Sequence, residues 1–305
     1  MTVQIKGTTP PPSPNQLMLE ALDIRWRNYR AELERCRAEF SNEAVHDVRV
    51  ALRRLLSLVK LLNSIESHPR LRKLSRAFKD QLDEFDDLRD TQVMLAEISV
   101  KLQKLPELQG LQEHLENIEM ELLNDLRKKL KKLDLLEITR RIQKTRESLT
   151  EEEKADLAEP ILQSVDDAFL VTQQRHSHID PAQPATIHRV RIAFKTFRYM
   201  VEIIHPMLKD FPAENLKLMN GCQSMMGEIQ DLEVILKSIA NFPKAAFSVN
   251  ASPFPLTVRT SLEPVRHYYE LRHAESVSAY IKGENMLSYF WRPSPEKPFP
   301  WEKTK

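Results

Sequence analysis

The fold is decided by the stretch Val45-His46-Asp47-Val48-Arg49-Val50-Ala51-Leu52-Arg53-Arg54-Leu55-Leu56-Ser57-Leu58-Val59-Lys60. Read as an α-helix, with about 100° between successive residues, it places His46, Arg49, Arg53 and Lys60 on one narrow stripe. Valine, alanine and leucine side chains cover the opposite face. The stripe has no acidic residue, whereas solvated helix faces usually mix both signs of charge. This pattern predicts a helix that packs on a hydrophobic core and exposes a row of cations.

The same pattern returns about 140 residues later, at Ile187-His188-Arg189-Val190-Arg191-Ile192-Ala193-Phe194-Lys195. A second pair of segments, Leu88-Arg89-Asp90-Thr91-Gln92-Val93 and Ile229-Gln230-Asp231-Leu232-Glu233-Val234, keeps almost the same offset. Two separate matches at one offset are hard to obtain by chance. They predict an internal duplication.

Composition points to an all-α protein. The 305 residues include only 5 glycines, and alternating β-branched runs with glycine turns are nearly absent. The chain has 45 basic and 44 acidic residues, so it is not a globally basic nucleic-acid binder, and a polyanion site must come from segregation of charge. The two cysteines, Cys36 and Cys222, have no disulfide or metal spacing. No apolar run is long enough to span a membrane.

The predicted architecture is two tandem helical bundles, related by duplication and facing each other across a basic groove. Residues 15–149 form the first helical repeat and residues 150–292 the second, with Thr150 opening a helix through a capping box. Residues 1–14 are a Pro-rich tail expected to be disordered, and residues 293–305 a second Pro-rich tail expected to be loose. Gly227 is expected near a turn between two helices, and residues 242–255 are expected to form a loop.

Rows of cations on rigid helices suit a linear polyanion, because guanidinium groups grip phosphate oxygens in pairs and lysines add point charge. A helix turn brings successive cations about 5 Å apart along the axis. A further basic row falls on the helix after Pro69. The candidate anion-binding residues are His46, Arg49, Arg53, Arg54, Lys60, Arg72, Arg76, Lys79, His188, Arg191, Lys195 and Arg198.

Other interpretations of these residues stay open. The arginines could instead pair with the acidic run between Asp83 and Asp90. The two histidines could be hydrogen-bonding residues at helix starts, or they could donate a ring N–H to a bound phosphate. Metal ligation is the least favoured role, because so many cations lie nearby. Asp90 and Asp231 could each cap the helix that follows, which is the preferred interpretation, or support an arginine of the nearby stripe.

These motifs resemble the CHAD family, named for a conserved-histidine α-helical domain. His46-x-x-Arg49-Val50-x-x-Arg53-Arg54-Leu55 is similar to its first-repeat signature, and His188-x-x-Arg191-Ile192-x-x-Lys195-x-x-Arg198-Tyr199-x-x-Glu202 to its second. Met226-Gly227-x-x-Gln230-Asp231 and the ending Phe290-Trp291-Arg292 also resemble the family, and the likeness covers roughly residues 15 to 292. Leu56 and Asn220 stand where the family often has basic residues.

The resemblance implies binding of inorganic polyphosphate without hydrolysis, with no cofactor and no metal. Two alternatives are a metal-dependent phosphohydrolase that uses the His and Asp residues, and an RNA or protein interaction module that uses the same basic surface. RNA is the less favoured partner, because RNA-binding proteins usually place aromatic side chains among their cations. We expect a cytoplasmic protein, with association to polyphosphate granules as an option.

Overall fold

The computed structural model describes residues 13–151, 157–248 and 262–302. These residues form ten α-helices and no strand, which confirms the predicted all-α class. The helices are α1 (Pro14–Glu39), α2 (Asn42–Ile65), α3 (Pro69–Asp83), α4 (Asp86–Lys101), α5 (Gln109–Lys132), α6 (Leu136–Glu151), α7 (Ala158–His176), α8 (Ala185–Ile204), α9 (Ala213–Ser248) and α10 (Glu263–Lys282).

Local sequence explains where the first helices begin. The Ser13 hydroxyl accepts a hydrogen bond from the backbone N–H of Gln16, whose side chain accepts one in return from the Ser13 backbone. The Ser41 hydroxyl accepts from the backbone N–H of Ala44 and so begins α2. Pro69 at the first position of α3 has no N–H to leave unsatisfied.

One hydrophobic core runs through both halves of the chain. Helix α2 packs against α1 and α3 on its own side and against α7 and α8 of the second half. Leucines of α2, phenylalanines of α8 and the buried Trp291 all belong to this core. A second, smaller cluster lies where α4 and α5 meet α9 and α10, around Ile98, Leu115, Ile235 and Tyr269. The duplication itself stays a prediction.

Three expectations for the second half are wrong. Helix α9 is continuous from Ala213 to Ser248, so Gly227 lies inside a helix and residues 242–248 are helical. The rest of the expected loop, 249–255, lies outside the described residues. Thr150 does not open a helix: it sits in the last turn of α6, where its hydroxyl donates to the Arg146 carbonyl at 2.9 Å.

The C-terminal segment packs on the fold as far as residue 302, so the expected loose tail is wrong for that part. The Trp291 indole N–H donates to Asp166 at 2.7 Å, and the Arg292 guanidinium binds both oxygens of the same carboxylate. The Trp301 ring stacks on Phe299 with centroids 4.7 Å apart. The N-terminal tail, apart from Ser13 and Pro14 at the start of α1, lies outside the described residues. None of the described helices is both long and apolar enough to cross a membrane.

Candidate anion-binding site

The packing of α2 against α8 brings the two predicted stripes together. Arg49 and Arg53 from α2 lie beside Arg191 and Lys195 from α8, and we call these four residues the central cluster. Each half of the chain therefore contributes two cations to one place. The apolar faces of both helices are buried in the shared core, so the cations stay on the side away from it.

Lys195 is the most strongly perturbed member of the central cluster. Burial, followed by the charges of Arg53, Arg191, Arg49 and Arg198, lowers the pKa of its amine to about 6. None of these main effects comes from an acidic group, and no hydrogen bond or ion pair of the amine is found among the described residues. At pH 7 the Lys195 amine is therefore mostly uncharged in the free protein, and a bound anion would favour its protonated form.

Arg53 is in a similar position. Burial and then the charge of Arg49 lower its pKa to about 10, against opposing effects of Tyr199 and Asp86. Within the described part of the chain it makes no hydrogen bond or ion pair. An arginine keeps its charge at neutral pH even with this shift, so its lost hydration must be replaced by another partner.

Arg49 differs, because it has an acidic partner. Its side chain is almost fully buried, and its Nη1 lies 2.6 Å from Oδ1 of Asp86 at the start of α4. The alternative in which the arginines pair with the acidic run therefore holds for Arg49. It does not hold for Arg53 or Lys195.

Arg191 rests on the continuous helix α9 at Gly227. A Cβ at that position would lie 3.8 Å from Nε and 3.9 Å from Nη2 of Arg191, which is ordinary contact distance, so a side chain longer than alanine would reach into the guanidinium. The Nε atom of Arg191 is buried and has no hydrogen-bond partner in the described structure. Arg191 is the third cluster member whose donors are not saturated by the protein.

The side chains of the two histidines, which begin the two stripes, make no hydrogen bond among the described residues. Desolvation, followed by the charge of Arg89, lowers the pKa of His46, while Asp47 opposes the shift. The His46 ring is therefore mainly neutral near pH 7 and can still donate one N–H. His188 is half-buried, and its Nδ1 is buried with no partner in the described part of the chain.

Asp90 and Asp231 do not cap helices, so the preferred interpretation of these residues is wrong. Asp90 lies within α4 and Asp231 within α9. Burial raises the pKa of both carboxyls, while Arg49 opposes the shift at Asp90 and Arg191 opposes it at Asp231. Asp90 thus lies near Arg49 and Arg53 and Asp231 near Arg191, without an ion pair, which is compatible with the supporting role that the sequence left open.

Arg89 was missed by the sequence reasoning. Burial and the neighbouring charge of Arg49 lower its pKa, and Asp231 and Asp90 oppose this. Arg89 lies in the repeated segment that begins at Leu88, so the repeat was a signal that could have identified it. It was not chosen because it is on neither stripe.

The remaining predicted cations lie around the central cluster in two groups. Desolvation and the charge of Lys79 lower the pKa of Lys60, so the end of the α2 stripe meets the row on α3. Along that row Arg72, Arg76 and Lys79 are exposed, and Lys79 pairs with Asp83 at 3.0 Å. These residues continue the surface from α2 onto α3.

The second group surrounds Glu202. Arg198 is buried and donates to Gln223 at 2.9 Å and to Glu202, and its guanidinium lies over the Tyr199 ring. Arg54 is half-exposed, with Nε 3.8 Å from Oε2 of Glu202. Arg198 is thus already paired within the protein, unlike Lys195 one helical turn away. Among the described residues no group of three or more His, Cys, Asp or Glu is placed to hold a metal ion.

Comparison with known proteins relates this arrangement to one family. A family model described as CHAD domain matches residues 20–239. The crystal structure of the CHAD domain from the plant Ricinus communis is similar to this chain, with a TM-score of 0.69 and 19% sequence identity, over 92% of this chain and 95% of that chain. At this identity the likeness shows a shared fold. No curated protein matches the chain.

Proposed function

The chain belongs to the CHAD family, as its motifs predicted, and on this premise we propose that it binds inorganic polyphosphate through the central cluster without hydrolysing it. The observation that supports the proposal is Lys195, a half-buried amine that feels the charges of four arginines and makes no hydrogen bond or ion pair among the described residues. Such crowding costs free energy in the free protein, and an anion bound there recovers it.

The arrangement of the cations favours a linear polyanion over a single small anion. The α2 stripe extends from His46 to Lys60, which is about 20 Å along the helix axis. The rows on α3 and α8 adjoin it, so successive phosphates of one chain can meet successive cations. We further propose that the two halves arose by duplication and face each other across a basic groove. Such a protein would act in the cytoplasm, where it can associate with polyphosphate granules.

Isothermal titration with phosphate oligomers of increasing length tests this proposal. Affinity is expected to rise with chain length, since a chain already held by α2 meets α8 at high effective concentration. It should fall steeply with salt, because every neutralised phosphate releases counterions. Equal affinity for pyrophosphate and a long chain would contradict a polymer-binding surface.

Two controls separate the alternatives. The double variant Arg53→Ala with Lys195→Ala should lose long-chain binding at least tenfold, because charge-assisted bonds to phosphate contribute about 1.5–3 kcal/mol each. The matched variant Lys128→Ala with Lys131→Ala removes two exposed cations of α5 and should change affinity little. Release of phosphate with Mg²⁺ or Mn²⁺ would favour the phosphohydrolase, and displacement of polyphosphate by RNA would favour the RNA-binding module.

A further inference from the structure

Three arginines from three different helices lie near the single carboxylate of Glu202, two of them within ion-pair distance. Arg198 of α8 donates to it, and Arg54 of α2 lies 3.8 Å from its Oε2. Burial lowers the pKa of Arg25 on α1 to about 10. The charge of Glu202 opposes this shift and the charge of Arg54 adds to it, so both residues lie near Arg25. One negative charge therefore faces three positive charges.

The three arginines are not equally satisfied. Arg198 donates through Nε to Gln223 and through Nη1 to Glu202. Arg54 is at the outer limit of ion-pair distance from Glu202, and its side chain is 49% exposed. The Nε atom of Arg25 is buried with no hydrogen-bond partner in the described structure. Arg25 and Arg54 therefore retain donors and charge for a further anion.

This group lies next to the central cluster along both helices. Arg54 directly follows Arg53 on α2, and Glu202 is seven residues beyond Lys195 on α8, or about 10 Å along the axis. A polyphosphate chain that leaves Lys195 toward the end of α8 therefore reaches Glu202 next. The carboxylate repels it, while Arg25 and Arg54 attract it.

We propose that Arg25 and Arg54 form a second phosphate subsite, at which a long polyphosphate chain replaces the Glu202 carboxylate that lies 3.8 Å from Arg54 in the free protein. Glu202 stays attached to Arg198, one helical turn away on the same helix, when this happens. Because the ligand has to compete with an internal carboxylate, only a chain anchored at the central cluster gains enough effective concentration to do so. The subsite thus makes the protein select for length. This inference rests on polyphosphate binding at the central cluster.

Titration of long-chain polyphosphate and of pyrophosphate against two variants tests the subsite. Arg25→Gln is expected to weaken long-chain binding about fivefold, since one charge-assisted contact is lost, and to leave pyrophosphate binding unchanged. Glu202→Gln keeps an acceptor for Arg198 but removes the competing charge, so it should tighten long-chain binding by a similar factor. Arg30→Gln, an exposed position on the same helix, is the matched control and should have an effect below about twofold.

The outcomes distinguish this inference from the proposed function. If the unchanged protein does not bind long-chain polyphosphate, both are overturned. If it binds, and Arg53→Ala weakens binding while Arg25→Gln behaves like Arg30→Gln, only the second subsite is overturned. A Glu202→Gln protein that folds and binds no more tightly also overturns it. Thermal unfolding shows whether that variant folds; if it does not, Arg25→Gln alone decides.

Discussion

Arg49 and Arg53 lie one helical turn apart on α2, yet their surroundings assign them different roles. Arg49 pairs with Asp86 and is almost fully buried, whereas Arg53 makes no ion pair among the described residues and feels Asp86 less strongly than the charge of Arg49. Arg53→Ala should therefore weaken polyphosphate binding and leave the melting temperature unchanged or slightly higher, because it relieves repulsion.

Arg49→Ala is the matched comparison. It leaves Asp86 without its partner and a gap in the interior, so the free energy of unfolding should fall by about 1–3 kcal/mol. Chemical denaturation and polyphosphate titration of both variants measure the two effects separately. A loss of stability in Arg53→Ala as large as that in Arg49→Ala would mean that Arg53 is a structural residue.

The charge state of Lys195 predicts a dependence on pH. Its pKa is about 6 in the folded protein against an ordinary value of 10.5. Below about pH 6 the amine is protonated in both the folded and the unfolded state. Between these two pKa values the unfolded chain holds a proton that the folded chain lacks, so this residue makes the free energy of unfolding rise with pH across that window.

Bound phosphate has the opposite preference, because it stabilises the protonated amine. Binding should take up a proton, and affinity should fall as pH rises above about 6, by at most about tenfold per pH unit. Titration calorimetry in buffers of different ionisation enthalpy measures the proton uptake. Lys195→Met should remove it, while Lys128→Met, at an exposed lysine paired with Asp125, should not. Equal uptake in the Lys195→Met variant would contradict this assignment.

At this scale the sequence predicted the central cluster but not its borders. Helical periodicity alone placed Arg49 and Arg53 on one stripe and Arg191 and Lys195 on the other. Arg25 and Arg89 belong to helices whose own patterns show no basic stripe. They reach the site only because α1 and α4 pack beside α2 and α8, and such packing leaves no periodic signal in the local sequence.

In helix α9, burial of one apolar face outweighs the low helix propensity of a single glycine. A glycine inside a helix costs about 1 kcal/mol relative to alanine, and this led to the expected turn at Gly227. The buried residues Met219, Cys222, Met226 and Ile229 continue one apolar face across it at three- and four-residue steps. Burial of that face outweighs the cost of the glycine. The continuous spacing could have predicted the continuous helix.

Gly227 also offers a test of how α9 positions Arg191. Gly227→Leu should displace the Arg191 guanidinium, which lies 3.8 Å from the position of a Cβ, and should weaken long-chain binding severalfold. Gly221→Leu is the matched control in the same helix, because a Cβ there meets no atom within 4 Å. Both variants gain helix propensity, so their melting temperatures should not fall. Equal affinities in the two would show that Arg191 does not depend on Gly227.

For the whole molecule, the sequence predicted the all-α class and the family, but not how closely the halves are joined. The two predicted bundles say nothing about whether their cores are separate. The structure buries the apolar faces of α2 and α8 in one cluster, to which Trp291 contributes from the far end of the chain. Pairing between helices so distant in sequence depends on tertiary complementarity, which no single repeat carries.

A shared core predicts one cooperative unfolding transition. Residues 1–149 alone would expose the side of α2 that packs on α7 and α8, so this fragment should not show a native-like melt. In the intact chain, long-chain polyphosphate should raise the temperature of the single unfolding transition, because it binds only when α2 and α8 are in place. At a free ligand concentration of 100 times Kd, the free energy of unfolding should increase by about 2.7 kcal/mol. Calorimetry of the whole chain and of the fragment, with and without the ligand, measures this. Two separate transitions would contradict the shared core. A fragment that melts cooperatively and binds long chains as tightly as the whole protein would show that the first half is an independent binding unit.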